Sequence, residues 1–353
     1  DLSRREWNAI TWQFTQYGQI HNEYDAYYDW MHHGESSTYI YYYGLANPYV
    51  HQDRERALRF AGMYIGEDEE AQNWDPVHKM IRSPINGSKG PQFEMSAEDW
   101  VTHREVLANY LSPYEDVPGL DPTDPKAVAD WNDDEAFGEV LKRMNARMVP
   151  GDVPLNLNAT SLVTSAYMYT GDEKYRRWVL DYVEAWADRA KRNGGIIPDN
   201  VGPNDVIGER IDGKWWGGYY GWRWPHGSTN ILEATLIGGS NALLLTGDDS
   251  YLDLHRSQWD YLWSLGEERD GVFQVPNRHG DAGWFDYRAP NARYPLHLYC
   301  LTRDPADRER LERCGPLSTR GGFSKGGQYT PFAWFDLVDG GNAGVGDEML
   351  DAA

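Results

Sequence analysis

The sequence contains few cysteines, a deficit of basic residues and no long hydrophobic run. Cys300 and Cys314 are its two cysteines, so it has neither a disulfide scaffold nor a cysteine-rich zinc site. No apolar run approaches the roughly 20 residues that a membrane-spanning helix requires. Lysine and arginine total 33 against 55 aspartate and glutamate residues, which gives a net charge of −22. Because nucleic acids and anionic membranes attract basic surfaces, we expect neither as a partner.

The sequence also lacks the motifs of common cofactor sites. It contains no phosphate-binding loop and no dinucleotide fingerprint, and we expect no strand–turn–helix nucleophile elbow. His32 and His33 precede Glu35, but no His-Glu-x-x-His motif is present, so we expect no metal and no other cofactor. Because the chain begins at Asp1, we expect a processed or partial chain of a secreted or periplasmic protein.

Aromatic side chains are abundant, with 16 Trp and 24 Tyr. Residues 215–226 read Trp-Trp-Gly-Gly-Tyr-Tyr-Gly-Trp-Arg-Trp-Pro-His. Glycine disfavours a helix and interrupts a strand, so this run is predicted to be a loop. Aromatic faces bind sugar rings, which have polar edges and apolar faces, and we expect about half of the run to face a cleft. The predicted sugar-binding residues of this loop are Trp215, Trp216, Tyr219, Tyr220, Trp222, Arg223 and Trp224.

An internal repeat predicts the fold. Residues 166–175 (AYMYTGDEKY) resemble residues 242–251 (ALLLTGDDSY), which lie 76 positions later. In each copy an apolar inner helix, over 156–169 or 228–245, ends at the glycine, and an amphipathic outer helix follows the acidic residue. Such repeated hairpins are typical of an α/α toroid. We therefore expect an all-α fold, an (α/α)-toroid of about six inner–outer hairpins, with residues 1–353 forming a single domain and no convincing strand.

Further helices are predicted from the spacing of apolar residues. They cover 35–46, 54–65, 97–110, 134–148, 294–302 and 306–314. The segments 82–96, 111–132 and 194–227 are rich in Gly, Pro and Asp and are predicted to be long loops. Because long loops in compact domains tend to carry function, we expect functional residues in them.

His226 and Tyr287 are the sharpest pair of candidate catalytic residues. His226 opens the predicted inner helix 228–245, and Tyr287 precedes the next inner helix, with Thr-Gly-Asp and then Asp-Gly between them. In this arrangement the chain resembles the heparinase-II/III-like and alginate-lyase types of α/α-toroid polysaccharide lyase. Those lyases have an asparagine directly before the histidine, whereas Pro225 stands here. Asn132 and Asn230 are the candidates for the role of that asparagine.

The resemblance implies cleavage of a uronate-containing poly- or oligosaccharide by β-elimination. His226 or His279 would act as base or charge neutraliser, and Tyr287 as acid or base. The arginines that would bind the carboxylate of the substrate are Arg223, Arg278 and Arg288.

Hydrolysis by two carboxylates is the alternative, because toroid glycoside hydrolases use Asp or Glu residues at the ends of inner helices. The candidate carboxylates are Glu35, Asp133, Asp134, Asp199, Glu209 and Asp212. Asp133 and Asp134 also lie where a helix N-cap is expected. His33, close to Glu35, is expected to line the same sugar cleft.

A non-catalytic sugar-binding module is the third hypothesis. It predicts aromatic platforms without a convergent His–Tyr pair or carboxylate pair. We place the lyase slightly ahead of the hydrolase, because the arrangement of His, Tyr and Arg is more specific than scattered carboxylates. The negative net charge disfavours an acidic substrate and so favours the hydrolase.

Overall fold

The structure is a computed structural model, and it describes residues 2–18, 20–21, 24–25, 44–87, 90–101, 104–108, 110–121, 123–224 and 226–314, together with 344 and 347. The fold is mixed α/β, because about half of it is helical and about a tenth is strand. The expectation of an all-α, (α/α)-toroid is therefore wrong. Short antiparallel strands accompany the helices, and the helical repeat did not predict them.

Ten helices are defined within the described ranges. They are α1 Leu2–Gln16, α2 His51–Gly62, α3 Arg104–Leu107, α4 Asp134–Arg147, α5 Ala159–Thr170, α6 Glu173–Arg192, α7 Ser228–Thr246, α8 Asp253–Ser264, α9 Arg293–Thr302 and α10 Pro305–Arg313. Helix α5 packs against α2, α6 and α7, and α7 also packs against α8. Over the same ranges, no helix combines the length and the apolar character that crossing a membrane requires.

The strands form small antiparallel pairs and one larger sheet. They are β1 Ile20–His21, β2 Tyr24–Asp25, β3 Trp74–Asp75, β4 Met80–Ile81, β5 Asn86–Gly87, β6 Gly90–Pro91, β7 Glu267–Arg269, β8 Val272–Gly280 and β9 Gly283–Arg288. The larger sheet has the order β7-β8-β9. Asp270 and Gly271, at φ 53° and 75°, form the two-residue turn between β7 and β8. An Asp-Gly pair with two positive φ angles is typical of a β-hairpin, so this dipeptide was the overlooked strand signal.

The Thr-Gly-Asp repeat has the predicted conformation in both copies. Gly171 and Gly247 end α5 and α7 in the left-handed conformation, at φ 65° and 73°. The side chains of Asp172 and Asp248 then accept hydrogen bonds from backbone N–H groups two residues ahead, each at 3.0 Å. Helices α5 and α7 bury residues on most of their surface, whereas α6 buries one stripe of aromatic and aliphatic side chains. The helix ends and the buried faces of α5, α6 and α7 therefore agree with the prediction from the sequence repeat.

The remaining predicted helices are mostly present with shifted ends. The helix predicted over 134–148 is α4, and those over 294–302 and 306–314 are α9 and α10. The helix predicted over 54–65 is α2, which begins three residues earlier. The prediction over 97–110 is wrong, because this segment has one short 3₁₀ turn and the four-residue α3. The prediction over 35–46 lies outside the described residues except at its last three positions.

The chain forms two compact units. The first contains residues 1–265 and 276–287, which include α1 to α8. The second contains residues 266–275 and 288–353, which include β7, α9 and α10. In this second unit Asp307 links the two helices, because its carboxylate accepts hydrogen bonds from Thr302 Oγ1 and Arg310 Nη1, both at 2.8 Å.

In the first unit, the buried carboxylate of Asp152 links α6 to the loops beside it. It accepts hydrogen bonds from Ile81 N at 3.1 Å, from Asn156 Nδ2 at 2.9 Å and from Tyr182 Oη at 3.0 Å. Burial raises the pKa of Asp152 to about 6, although the charge of Arg189 opposes this shift. The donors therefore replace the water that the carboxylate loses in the interior.

Two helix glycines give a matched test of this packing. A Cβ at exposed Gly138 in α4 would touch nothing within 4 Å, whereas a Cβ at buried Gly239 in α7 would lie 2.8 Å from the carbonyl oxygen of Tyr251. We expect Gly138→Ala to raise the free energy of unfolding by about 1 kcal/mol, because alanine has the higher helix propensity. Gly239→Ala should lower it, since α7 must move away from its neighbour.

Denaturant unfolding followed by circular dichroism measures both changes. Equal stabilisation by the two substitutions would contradict the close packing of α7 on the segment around Tyr251.

Candidate functional site

The aromatic loop 215–224 is built around the carboxylate of Asp199. The backbone N–H groups of Gly217, Gly218 and Trp222 donate to its two oxygens at 3.1, 2.8 and 2.8 Å. Asp199 itself is fully buried. One carboxylate therefore fixes the path of the loop by satisfying three of its backbone donors.

The glycines of this loop are explained by the same carboxylate. A Cβ at Gly218 or Gly221 would overlap the backbone or the side chain of Asp199, so the loop can surround this residue only with glycine at these positions. Burial raises the pKa of Asp199 to about 6, and the hydrogen bonds from the loop act in the opposite direction. The carboxylate is thus a structural anchor that titrates near neutral pH.

The six aromatic rings of the loop differ in burial. Four of them lie in the interior of the first unit; these are Tyr219, Tyr220, Trp222 and Trp224. The ring of Trp224 stacks on Trp131, with centroids 5.8 Å apart and planes at 19°. Trp215 and Trp216 are half-buried. In this loop, ring surface is therefore available to a ligand at these two tryptophans.

Beside Trp216 lies an open cavity, which we call the acid cavity. Its empty volume is about 390 Å³ with its mouth included. Its lining residues come from the loop before α4, from α4, from the aromatic loop with the residues before it, and from the turn after β8. They are Pro113, Tyr114, Glu115, Asp116, Arg147, Ile211, Asp212, Lys214, Trp216, Gly217, Arg223 and Asp281. The cavity is polar, and both signs of charge meet in it.

Glu115 and Asp281 are paired in the acid cavity. The backbone N–H of Asp281 donates to both carboxylate oxygens of Glu115, at 3.0 and 2.8 Å. Lys214 Nζ contacts both oxygens of Asp281 at 2.7 Å. Trp216 Nε1 donates to Asp281 Oδ1 at 3.2 Å. Asp281 therefore joins the site in two ways: its carboxylate binds a cation and a neutral donor, and its backbone N–H binds Glu115.

The two carboxyl groups of the pair have pKa values shifted in opposite directions. Burial and the neighbouring Asp281 raise the pKa of Glu115, against the charge of Arg223. Burial also acts to raise the pKa of Asp281, but the hydrogen bonds and the charge of Lys214 outweigh it, so this pKa is lowered. Of the two carboxyl groups, Glu115 therefore keeps its proton to the higher pH.

Arg223 is buried to 99% at the edge of this cavity. Its Nε donates to the carbonyl of Ser112 at 2.9 Å, and its Nη1 donates to Glu115 Oε1 and to the carbonyl of Pro125, both at 3.1 Å. Its Nη2 is buried and has no hydrogen-bond partner among the described residues. A buried guanidinium N–H without a partner is costly, and a ligand oxygen would satisfy it.

His279 lies in a cage of three indole rings. Its ring centroid is 4.5 Å from that of Trp215, 4.7 Å from that of Trp216 and 4.8 Å from that of Trp284. Burial lowers the pKa of His279 to about 4, so the ring is neutral at physiological pH. Its Nδ1 is buried without a hydrogen-bond partner in the described part of the chain.

A family model matches residues 1–274, which is most of the chain; its description is Domain of unknown function (DUF8034). The chain belongs to this family. Comparison with curated proteins finds no match. The matched part of the DUF8034 chain contains Glu115, Asp199, Lys214 and Arg223, while Asp281 follows it.

The DUF8034 chain places His226 and Tyr287, the predicted catalytic pair, in the first unit. His226 is half-buried before α7, and its ring contacts Tyr110 and Tyr220 edge-on, with centroids 5.9 and 6.4 Å away. Tyr287 is half-buried in β9. Their joint role in catalysis stays a prediction, and His33 and Glu35 lie outside the described residues.

The predicted arginine sites are in different environments. Arg278 Nε contacts Asp286 Oδ2 at 3.0 Å, and its Nη1 donates to the carbonyl of Arg223 at 3.2 Å. Arg223 adjoins the acid cavity, as described above. Arg288, the last residue of β9, is exposed in the second unit.

The predicted carboxylates at the start of α4 have structural contacts. Asp133 is the N-cap and accepts a hydrogen bond from Ala136 N at 2.8 Å, which confirms its capping role. Asp134 is exposed and forms an ion pair with Arg104 at 2.8 Å. Asn132, beside them, is also exposed. Of the other predicted carboxylates, Glu209 accepts a hydrogen bond from Asn204 N at 3.1 Å, and Asp212 lines the acid cavity.

Sequence reasoning missed Glu115, Lys214 and Asp281 as site residues. Glu115 lies in the long loop 111–132, which loop length had marked as functional, and Asp281 follows the Arg-His-Gly motif that contains His279. Their juxtaposition could not be predicted, because Glu115 and Asp281 are 166 positions apart. Among the described residues, no group of three His, Cys, Asp or Glu side chains could hold a metal ion.

Replacing Asp199 tests the anchor of the loop. The native carboxyl has a pKa of about 6 against 3.8 when unfolded, so the folded state binds more protons between these values. Stability should therefore fall as pH rises through this window, by about 3 kcal/mol for one fully buried group. Asp199→Asn should be less stable throughout, because an amide N–H₂ would face backbone donors, and it should lack this part of the pH dependence.

Denaturant unfolding of both proteins between pH 4 and 7 measures the difference, and contributions from Asp152 cancel in it. Parallel stability curves for the native protein and the variant would contradict the raised pKa of Asp199.

Proposed function

We propose that this chain is a carbohydrate-active enzyme that hydrolyses glycosidic bonds at the acid cavity. The observation that carries the proposal is the carboxyl pair of Glu115 and Asp281, which lies beside a buried arginine and a half-buried tryptophan. General acid catalysis needs a carboxyl group that stays protonated at the working pH. Burial and the neighbouring Asp281 raise the pKa of Glu115, which favours its protonated form.

In this proposal Glu115 protonates the oxygen of the leaving sugar. The Asp281 carboxylate contacts Lys214 Nζ at 2.7 Å and Trp216 Nε1 at 3.2 Å, and its negative charge raises the pKa of Glu115. Asp281 is therefore a positioning residue that tunes Glu115. We assign the second catalytic carboxylate to Asp212, which lines the same cavity. Its φ of 52° is rare for a residue other than glycine, and such strain is concentrated at functional sites.

Two neighbours suit a sugar as the ligand. Trp216 contributes a half-buried indole to the wall of the cavity, and an indole face packs on the C–H face of a sugar ring. Arg223 Nη2 provides an unpartnered buried donor, which a hydroxyl or carboxylate oxygen of the substrate would satisfy. These features support carbohydrate binding independently of the reaction.

A β-eliminating lyase is the second candidate function. It is favoured by Asn230, whose Nδ2 is buried in the first turn of α7 and has no hydrogen-bond partner among the described residues. Such an amide, four residues after His226, could neutralise the carboxylate of a uronate. The neutral His279 would be competent as a base.

Substitution of the acid tests the proposed hydrolase. We expect the native protein to release reducing ends from at least one member of a panel of neutral and acidic polysaccharides. Glu115→Gln should lower that rate by about 10²- to 10⁴-fold, the usual contribution of a general acid, and Asp212→Asn should also lower it strongly. Glu173→Gln, which removes an exposed carboxylate in the first turn of α6, is the matched control and should retain the rate.

The same reactions are monitored for the ultraviolet absorbance of an unsaturated uronate. Appearance of that absorbance in place of new reducing ends by hydrolysis would identify the lyase. Binding of a polysaccharide without either product would identify a sugar-binding module. Full activity of Glu115→Gln would refute the assigned acid.

The positioning role of Asp281 has its own signature in the pH profile. The acid must be protonated, so activity should be lost as pH rises through the pKa of Glu115. Asp281→Asn removes the negative neighbour that raises this pKa and should move the alkaline limb of kcat/KM to lower pH. A lower rate with an unmoved limb would indicate a merely structural role.

A further inference from the structure

A second cavity, which we call the cationic cavity, lies close to the acid cavity in the first unit. Its lining residues are Leu111, Lys126, Arg278, Phe285 and Asp286, and its empty volume is about 460 Å³ with its mouth included. Two basic side chains and one acidic side chain line it, together with an aromatic ring and a leucine. This composition is unusual in a chain whose net charge is −22.

Arg223 connects the two cavities. Its side chain lines the acid cavity, and its carbonyl accepts a hydrogen bond from Arg278 Nη1 at 3.2 Å. Its guanidinium carbon is 5.8 Å from the ring centroid of Phe285. Leu111 also lies only four residues before Glu115. The two cavities are therefore neighbours, separated by Arg223 and its contacts with Arg278 and Phe285.

Arg278 is held in place, whereas Lys126 is available to a ligand. Arg278 Nε contacts Asp286 Oδ2 at 3.0 Å, and Asn277 Nδ2 contacts the same oxygen at 3.1 Å. Lys126 is exposed, and its ammonium forms no ion pair with any residue that the structure describes. An anionic group entering the cavity would meet one unpaired cation and one fixed guanidinium.

The backbone at Asp286 supports a built site. Asp286 has a φ of 57°, in the left-handed region that residues with a Cβ rarely occupy. This conformation breaks the alternation of β9, since Phe285 and Asp286 are neighbours in the strand and yet line the same cavity. The strain is offset by contacts that orient Arg278, which is a pattern found at binding sites.

We propose that the cationic cavity is a subsite for an acidic sugar unit, whose carboxylate or sulfate ester binds Lys126 and Arg278 while its ring packs on Phe285. This inference rests on the proposed function, because it extends the same ligand beyond the acid cavity. It names the substrate class as a polysaccharide in which an acidic unit adjoins the bond that is cleaved. The negative surface of the protein would then restrict binding of an anionic polymer to this cavity.

Affinity electrophoresis with matched polymers tests the subsite. The probes are polygalacturonate and its carboxyl-reduced form, and carrageenan and its desulfated form, so that each pair differs only in charge. We use Glu115→Gln, which should leave the polymer uncut. At least one charged polymer should bind about 10-fold more tightly than its neutral counterpart, as expected for charge-assisted hydrogen bonds. The pair that shows the difference identifies the carboxylate or the sulfate ester.

Lys126→Met, added to the same background, should remove about 5- to 10-fold of the affinity for the charged polymer and leave binding of its neutral form unchanged. Lys142→Met is the matched control; it removes an exposed lysine of α4 that lies 3.6 Å from Glu139, and should have no effect. Equal binding of charged and neutral forms in both pairs, or equal effects of the two lysine substitutions, would overturn the subsite.

These measurements distinguish failure of the subsite from failure of the proposed hydrolase. Charge-dependent binding that requires Lys126, in a protein that cleaves no polymer, would retain the subsite and refute the hydrolase. Cleavage with equal affinity for both members of each pair would retain the hydrolase and refute the subsite.

Discussion

The site depends on a buried carboxylate, Asp199, whose hydrogen bonds within the described part of the chain come from backbone N–H groups and the amide of Asn200. Asp199 accepts three backbone N–H groups of the aromatic loop, and these dipoles take the place of water and of a counter-ion. The loop carries Trp216 and Arg223, which form part of the acid cavity. Because both side chains follow the path that Asp199 imposes, the geometry of the cavity is a consequence of this anchor.

Arg223 links segments that are far apart in the sequence. Its guanidinium binds the carbonyls of Ser112 and Pro125 and the carboxyl of Glu115, so it closes the loop before α4 onto the aromatic loop. Glu115 in turn accepts two hydrogen bonds from the backbone N–H of Asp281, after β8. Three loops without regular structure are thereby joined by charged hydrogen bonds, which are stronger and more directional than contacts between neutral groups. Arg147 of α4 and the turn after β8 complete the wall of the acid cavity.

Features that depend on residues close together in the sequence were predicted correctly. The glycine ends of α5 and α7, the aspartate caps that follow them and the capping role of Asp133 depend on residues a few positions apart, and each is present. The β7–β8 hairpin also has a local signal in Asp270-Gly271, which the helical repeat led us to overlook. The pairing of Glu115 with Asp281 has no local signal, because it depends on long-range packing. Glycine in residues 215–226 predicted a loop, but the close approach of Gly218 and Gly221 to Asp199 had no local signal.

Arg223 lines the acid cavity and its carbonyl binds Arg278 of the cationic cavity, so ligands in the two cavities would be thermodynamically linked. A ligand oxygen that binds Nη2 in the acid cavity restrains the guanidinium, and through the carbonyl of Arg223 it also restrains Arg278 in the cationic cavity. When the first ligand group has restrained these two arginines, binding of the second group loses less side-chain entropy. The coupling free energy is the same in either direction, so occupancy of each cavity raises affinity at the other by an identical factor. Long chains that fill both would be held cooperatively, and short products that fill one would dissociate readily.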